Sequence, residues 1–305
     1  MGSPRFKKRY LVLGMGVLLA GLLTGVFWFR APVLFVTDAP FNTLYGLQRA
    51  RIKRLETTLR IMRQIKPVFI GENAGPDMVT FAVEEAHRAP YGVLFPYRYY
   101  EGAERYIAQF PQIPVFILGG RSRDPRVPGG IFVGTDTPLD LYRAGLCAGI
   151  IARHEGEGDG DPLSQGEILF FQNEGISTEY REAFRMGLRE QGFTKEPKYL
   201  NIKQDYTDNI QNVSCVVMQG QATLFLERNL EIPVILFSWV DPDLTSRAVK
   251  LVVDDSPWAV AGKTVAMIPG REGVAVPSDW VFPEQRIGDK EVVGRLKKVL
   301  LRSIL

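Results

Sequence analysis

Hydrophobic and polar positions follow two different periods along the chain beyond residue 31. Short runs rich in β-branched and aromatic residues alternate with longer segments that carry an apolar stripe at helical spacing. The short runs are residues 32–37, 67–71, 91–95, 113–118, 130–134, 167–172, 198–202, 213–218, 232–237 and 250–253. Continuous apolar strands are typical of parallel sheets covered on both faces by helices. The pattern therefore predicts an α/β protein.

The segments between these runs predict amphipathic helices. They include residues 77–88, 101–109, 140–153, 178–191, 221–229, 258–267 and 290–304. The first and longest helical segment follows the run at 32–37 and has Arg or Lys at several positions outside its apolar stripe. Its apolar stripe consists of Leu44, Leu47, Leu55, Leu59 and Met62.

The rhythm runs twice and predicts two lobes. Residues 154–162 interrupt it with an acidic, glycine-rich stretch, which lacks the spacing of a calcium loop and is interpreted as a solvated loop. We expect one lobe from 32–134 plus about 270–305, and the other from 135–269. In open α/β sheets, ligands bind beyond the carboxyl ends of the strands. Two such lobes predict a cleft that hinge closure can bury.

Residues 10–29 form an uncharged run of 20 residues. As a helix, this run spans about 30 Å, the thickness of the hydrocarbon core of a bilayer. Basic residues in the tip at 1–9 predict a cytoplasmic N-terminus and a body on the extracytoplasmic, periplasmic side. A cleaved signal peptide is the alternative, but the bulky residues at 26–29 fit a cleavage site poorly. We therefore expect a single-pass anchor in the cytoplasmic membrane.

The net charge of +3 belongs to the N-terminal tip. Residues 1–30 contain five basic residues and no acid, which leaves 32 basic against 34 acidic residues elsewhere. A body with a net charge of −2 has no basic excess for nucleic acid. Two cysteines and two histidines support neither a disulfide framework nor a zinc site. We expect Cys147 and Cys215 to be buried free thiols, and we expect no cofactor.

Four segments in order resemble the type I periplasmic binding proteins and the LacI-like sugar-binding-domain superfamily. They are 131–151 (IFVGTDTPLDLYRAGLCAGII), 166–192 (GEILFFQNEGISTEYREAFRMGLREQG), 215–243 (CVVMQGQATLFLERNLEIPVILFSWVDPD) and 252–267 (VVDDSPWAVAGKTVAM). The resemblance covers roughly residues 32–285. It implies two Rossmann-like lobes with parallel sheets and an interlobe cleft, preceded here by one transmembrane helix.

The resemblance also implies positions for ligand contacts. These are Asp38, Phe41, Asn42, Arg121, Thr178, Tyr206, Gln221, Trp239 and Asp255, and Tyr97 joins them because it ends the third strand. Trp239 stands where sugar binders often have an acid, and it favours a ligand with a flat or apolar face, such as a nucleoside. Structural alternatives remain open: Asp38 as a helix N-cap, Tyr97 and Trp239 as packing residues.

These features lead to three hypotheses about function. The first is a membrane-anchored binding protein for a small polar ligand, a sugar, nucleoside or similar. It would serve ABC-type uptake with a permease, or ligand sensing with a membrane sensor. The second, an enzyme, is disfavoured because the sequence lacks GxSxG, HExxH and P-loop motifs. The third is a non-catalytic scaffold with a degenerate cleft. No helix-turn-helix precedes the body, which disfavours DNA binding.

Overall fold

The alternating pattern folds into alternating strands and helices in the computed structural model. The structure describes residues 4–119, 127–156, 166–172, 177–201, 212–218, 231–237, 239, 245–265, 274–282, 286–287 and 289–303. Side chains are described for all of these except 4–12, 23, 47, 155–156 and 274.

The described elements follow the chain in this order. The first are α1 (Pro4–Phe29), β1 (Val33–Thr37), α2 (Ala39–Tyr45), α3 (Leu47–Ile61), β2 (Ile65–Phe69), α4 (Pro76–Ala86), β3 (Gly92–Pro96), a 3-10 turn (Tyr97–Tyr99), α5 (Tyr100–Gln109), β4 (Val115–Leu118) and β5 (Gly130–Thr135). The others are α6 (Thr137–Gly156), β6 (Glu167–Gln172), α7 (Thr178–Glu190), β7 (Lys198–Asn201), β8 (Val213–Met218), β9 (Val234–Leu236), β10 (Val249–Asp254), α8 (Pro257–Thr264), β11 (Val274–Val276), β12 (Asp279–Val281) and α9 (Lys290–Arg302).

The strands form two sheets. The first has the order β11-β5-β4-β3-β1-β2, and its pairs from β1 to β5 are parallel. The second has the order β12-β10-β9-β8-β6-β7, parallel except for the antiparallel pair of β10 and β12. The predicted α/β class with parallel sheets is confirmed.

The chain divides into two compact units. The first consists of Met1–Thr43, Leu47–Val133 and Ala261–Val274, and the second of Leu44–Gly46, Gly134–Val260 and Ala275–Leu305. The C-terminal segment differs from the predicted placement of residues 270–305 in the first lobe. Val292, Leu296 and Leu300 of α9 are buried in the core of the second unit, against α6. Helix α9 therefore belongs to the second unit, because its apolar face covers that sheet.

The core of the first unit lies between its sheet and helices α4 and α5. Strands β1 and β3 are buried at every position, as strands covered on both faces should be. Tyr106 of α5 is 1% exposed, and its ring lies 6.1 Å from Phe95 and 4.8 Å from Phe110. Burial raises the pKa of Tyr106 to about 12, so its hydroxyl stays neutral in the folded chain.

Two glycines bring α6 and α7 of the second unit into close contact. A Cβ atom on Gly145 would overlap the carbonyl oxygen of Phe184, and one on Gly187 would overlap the carbonyl oxygen of Tyr142. The two helices therefore pack backbone against backbone, which larger residues at these positions would prevent.

The two cysteines lie in the core of the second unit. Cys147 of α6 and Cys215 of β8 are both free and fully buried. Burial raises the pKa of the Cys147 thiol well above its ordinary range, although the charge of Arg143 opposes this effect. The prediction of buried free thiols is confirmed.

The first predicted helix is two helices, and much of its apolar stripe faces solvent. The break falls at Gly46, whose φ of +71° suits glycine. Leu55 and Leu59 of α3 are 60% and 64% exposed, whereas Thr57 and Thr58 are buried. A Cβ on Gly262 of α8 would lie 3.1 Å from Oγ1 of Thr57, which shows which face of α3 packs inward. A stripe expected to face the core is thus turned outward.

Helix α1 carries exposed apolar side chains along its described part. Leu13, Val17, Leu18 and Trp28 are all at least 66% exposed. When the described residues are searched for a helix that is both long enough and apolar enough to cross a membrane, none is found.

Candidate functional site

Strand ends of the first sheet bring Asp38 and Tyr97 to the same edge. Asp38 follows β1 and Tyr97 follows β3, and these neighbouring strands are parallel, with Val33 opposite Gly92 and Phe35 opposite Leu94. Carboxyl ends of parallel strands share one edge of a sheet, which is where ligands bind in open α/β folds. Asp38 and Tyr97 therefore lie at the edge where open α/β folds bind ligands, and ligand contact by either residue stays a prediction.

Asp38 is fully buried and held by three donors. Its Oδ1 accepts the N–H of Phe41 at 2.7 Å, so Asp38 caps the start of α2. Its Oδ2 accepts the hydroxyl of Tyr99 and forms an ion pair with Arg98 at 2.9 Å. Burial and the hydrogen bond to Asp38 raise the pKa of Tyr99 far above its ordinary value. This arrangement supports the N-cap alternative and leaves ligand contact by Asp38 a prediction.

Arg98 connects this buried carboxylate to solvent. One terminal nitrogen pairs with Asp38, the other lies 3.4 Å from the carbonyl oxygen of Glu72, and the side chain is 44% exposed. A guanidinium has five N–H donors in a fixed plane, so its exposed part can bind a hydroxyl or an anion. Arg98 is not among the ligand contacts predicted from the sequence; its position two residues after β3 was the available signal.

The other three predicted residues of this edge differ in exposure. Phe41 is 4% exposed, and its ring lies 5.5 Å from Phe35, which favours a packing role. Asn42 is half-buried, with its Oδ1 3.4 Å from the hydroxyl of Thr37. Tyr97 is partly exposed and stacks on Tyr100 with ring centroids 5.6 Å apart. Asn42 and Tyr97 thus keep part of their surface exposed at this edge, although Tyr97 also packs against the core, which supports its packing alternative.

Asp255 is the polar residue at the binding edge of the second unit. It follows β10, and its side chain is exposed to solvent. Its Oδ1 accepts the N–H of Trp239 at 2.8 Å. The surrounding protein partly desolvates the carboxylate, and this raises the pKa of Asp255 to about 6. The negative charge of Asp254 adds a smaller effect in the same direction. The hydrogen bond from Trp239 opposes this shift. A carboxylate that is reachable yet poorly hydrated is well suited to accept hydrogen bonds from a ligand.

Trp239 and Thr178 take different positions in this unit. Trp239 is 6% exposed and packs in the cluster formed by Leu169, Met218 and their neighbours, which supports the packing alternative. Thr178 is exposed at the first position of α7, where Ser177 caps the helix by accepting the N–H of Tyr180. Trp239 thus positions Asp255 through its backbone, and Thr178 stays available to solvent.

Tyr45 belongs to the surroundings of Asp255 and was missed from the sequence. Tyr45 belongs to the second unit, and it packs against the apolar cluster that contains Trp239. Burial, followed by the charges of Asp255 and Asp254, raises the pKa of Tyr45. No sequence pattern indicated this, because Tyr45 follows no strand and lies more than two hundred residues from Asp255 in the chain.

A buried ionic network supports the start of α6. Asp140 accepts the N–H of Ser278 with both carboxylate oxygens, at 3.0 and 3.1 Å, and forms an ion pair with Arg143 at 3.2 Å. Arg143 also donates to the carbonyl oxygen of Ser278 at 3.0 Å. Asp136 caps the same helix by accepting the N–H of Leu139 at 3.1 Å. These contacts join α6 to the segment before β12, and so fix the framework behind the binding edge.

Three predicted ligand contacts lie outside the described residues: Arg121, Tyr206 and Gln221. Within the part of the chain that the structure describes, no group of three or more His, Cys, Asp or Glu side chains could hold a metal ion. Among the described residues considered above, Asn42, Tyr97 and Arg98 in one unit and Thr178 and Asp255 in the other are at least partly exposed to solvent.

Comparison with solved structures identifies the fold. A transcriptional activator of the comK gene from Bacillus halodurans is similar with a TM-score of 0.57 and 11% identity, over 88% of this chain and 95% of that chain. A periplasmic ribose ABC transporter from Conexibacter woesei is similar with a TM-score of 0.51 and 16% identity, over 87% and 97%. The chain therefore has the type I periplasmic-binding-protein fold. No protein-family model and no curated protein matches the sequence.

Proposed function

We propose that the chain is a membrane-anchored binding protein for a small polar ligand and that it catalyses no reaction. The observation that carries this proposal is Asp255: a solvent-reachable carboxylate at the carboxyl end of a parallel strand, held by the backbone of Trp239. Polar groups at the corresponding edge of the first sheet, Arg98 and Asn42, support it. Binding beyond strand ends is the general rule for open α/β sheets.

The chemistry of these groups favours a ligand rich in hydroxyl or amine groups. Arg98 supplies donors, Asp255 supplies an acceptor, and the partly exposed ring of Tyr97 offers a flat face. A sugar or nucleoside presents donors, acceptors and flat or apolar faces together. The similar fold of a periplasmic ribose ABC transporter makes pentoses and nucleosides the first compounds to screen.

The location and partners are part of the same proposal. The uncharged run at 10–29, with basic residues before it, supports a single-pass anchor and a body on the periplasmic side. A body held there would deliver ligand to an ABC permease or report it to a membrane sensor. Protease treatment of spheroplasts tests the topology: we expect a C-terminal tag to be digested, and the protein to resist extraction by alkaline carbonate.

Ligand binding is tested on the full chain purified in mild detergent. Mass spectrometry of small molecules released from the protein identifies candidates, and thermal unfolding with each candidate tests them. A ligand at a hundred times its Kd stabilises the fold by about 2.7 kcal/mol. We expect Asp255→Asn and Arg98→Ala to reduce the upshift. Glu85→Gln, on the exposed surface of α4, should preserve it.

The pH dependence of binding gives a second test. The pKa of Asp255 is raised to about 6, so the carboxylate is ionised above that pH and protonated below it. A ligand that donates hydrogen bonds to the carboxylate should lose affinity as the pH falls through about 6, and Asp255→Asn should remove this dependence. If no compound shifts the unfolding temperature of the parent chain and none is released, the scaffold hypothesis replaces this proposal.

A further inference from the structure

The outward face of α3 carries an apolar stripe that the fold does not cover. Ile52, Leu55 and Leu59 are 54%, 60% and 64% exposed, and their spacing of three and four residues aligns them along one side of the helix. Each large apolar side chain left in water forgoes the stabilisation that burial would give. Contiguous exposed apolar patches mark interaction surfaces in soluble proteins, and this stripe is a candidate for one.

The same helix is strongly basic. Residues 47–61 contain five Arg or Lys residues and the single acid Glu56, although the body as a whole has a small net negative charge. Arg51 and Arg60 are exposed beside the stripe. A helix with an apolar side flanked by arginines binds at the interface of an anionic bilayer, where the side chains enter the headgroup region and the charges meet phosphates.

Two hydrogen bonds place the residues just after α3 beside the segment that leaves α1. Arg63 donates to the carbonyl oxygen of Ala31 at 3.0 Å, and the N–H of Val33 donates to the carbonyl oxygen of Gln64 at 2.9 Å. Ala31 follows directly after α1 and Arg30. Leu59 and Arg60 are in the last turn of α3, so they lie close to the point where the chain emerges from its proposed anchor.

We propose that α3 is a membrane-surface contact: Ile52, Leu55 and Leu59 insert among the headgroups of anionic phospholipids while Arg51 and Arg60 bind their phosphates. This inference rests on the proposed anchor, which brings the helix to the bilayer. The contact would fix the first unit against the membrane instead of leaving it on a free tether.

The test uses the full chain reconstituted into vesicles, with an environment-sensitive fluorophore on Leu59→Cys. Cys147 and Cys215 are buried, so the label goes to the new thiol. Phe81→Cys on α4 is the matched control, because Phe81 is also 64% exposed. We expect quenching by lipid-attached spin labels and a blue shift for Leu59→Cys in vesicles that contain phosphatidylglycerol. Phe81→Cys should show neither.

Charge variants separate electrostatic binding from simple proximity. Each basic residue near an anionic surface strengthens association about fivefold, so Arg51→Glu with Arg60→Glu should weaken the lipid contact by roughly tenfold or more. Arg51→Lys with Arg60→Lys should retain it, and high salt should weaken it. Equal signals from both probes, or quenching that neutral phosphatidylcholine supports equally well, would overturn the inference.

Two further outcomes are distinguishable. If the protein washes off the vesicles in alkaline carbonate, the anchor itself fails, and the inference fails with it. If the protein stays anchored but the Leu59→Cys probe becomes shielded with rising protein concentration in detergent alone, the stripe contacts a second copy of the chain. That result would overturn the membrane contact while leaving the anchor intact.

Discussion

Asp255→Asn should make the fold more stable at neutral pH, because Asp255 is ionised at a cost. The folded chain raises the pKa of this carboxyl from 3.8 to about 6 through limited hydration and the charge of Asp254. A carboxyl whose pKa is raised on folding binds its proton more tightly in the folded than in the unfolded chain. Stability contributed by this group is therefore present at low pH and decreases as the pH rises from about 4 to about 6.

The magnitude follows from the size of the shift. Two pKa units correspond to about 3 kcal/mol if the group is fully shielded. The side chain of Asp255 is exposed to solvent, which screens its interactions, so we expect about 1 kcal/mol. Asparagine retains an oxygen that can accept the N–H of Trp239, so the hydrogen bond is kept while the charge is removed.

Urea unfolding of the parent chain and of Asp255→Asn, measured from pH 4 to pH 8, checks this prediction. The variant should gain stability over the parent as the pH rises to about 6, and the difference should stay level above about 7. Glu85→Gln removes an exposed charge from α4 and should change stability by less than about 0.5 kcal/mol at every pH. A variant that is less stable than the parent at neutral pH would refute the reasoning.

Three further predictions follow from contacts in the two units. In urea unfolding, Gly145→Ala should destabilise the second unit by about 3 kcal/mol or more, because the new Cβ would overlap the backbone of Phe184. Gly294→Ala is the matched control: it lies in open space on α9 and should stabilise the unit by about 0.5–1 kcal/mol. Asp38→Ala should cost about 2–4 kcal/mol in the same assay, because it leaves the hydroxyl of Tyr99 and the N–H of Phe41 buried without an acceptor; an unchanged midpoint would contradict the N-cap assignment. Cys147 and Cys215 should resist Ellman's reagent at pH 8 in the folded chain and react fully in urea, and rapid labelling without denaturant would contradict their burial.

Local patterns predicted the strands and most helices well. The runs at 167–172 and 213–218 coincide with β6 and β8, and the run at 32–37 contains β1. Each of these strands is buried on both faces, so its apolar character is continuous and does not depend on distant contacts. The short strand β12 was not predicted, because its three residues at a sheet edge have no periodic signal.

Tertiary placement was harder to predict than the elements. The amphipathic pattern of α9 indicated that one face is buried, but it could not indicate which sheet that face covers. Likewise, Leu55 and Leu59 formed an apolar stripe in the sequence, and only the structure shows that Thr57 and Thr58 face inward instead. Amphipathicity defines a face of a helix, and the partner of that face is a property of the whole fold.

The site residues also divide into those that local sequence features indicated and those that depend on contacts between distant parts of the chain. The family resemblance implied Asp38 and Asp255, and the end of the third strand indicated Tyr97; all three follow strands in the structure. The cap bond from Phe41 to Asp38 was foreseeable as the N-cap alternative, but the other two donors, Arg98 and Tyr99, are about sixty residues away in sequence and could not be predicted. The hydrogen bonds between Asp140 and Ser278 join residues 138 positions apart, and no sequence motif indicated them.

The position of α9 has a consequence for how the chain acquires its structure during synthesis. The first core draws its buried residues from 34–127, a nearly continuous stretch, whereas the second needs residues from Leu141 to Leu300. A nascent chain can thus assemble the first core early, while the face of the second sheet that α6 and α7 cover stays partly open until α9 is made. Chaperone capture and proteolysis should therefore concentrate on the second unit until translation reaches α9.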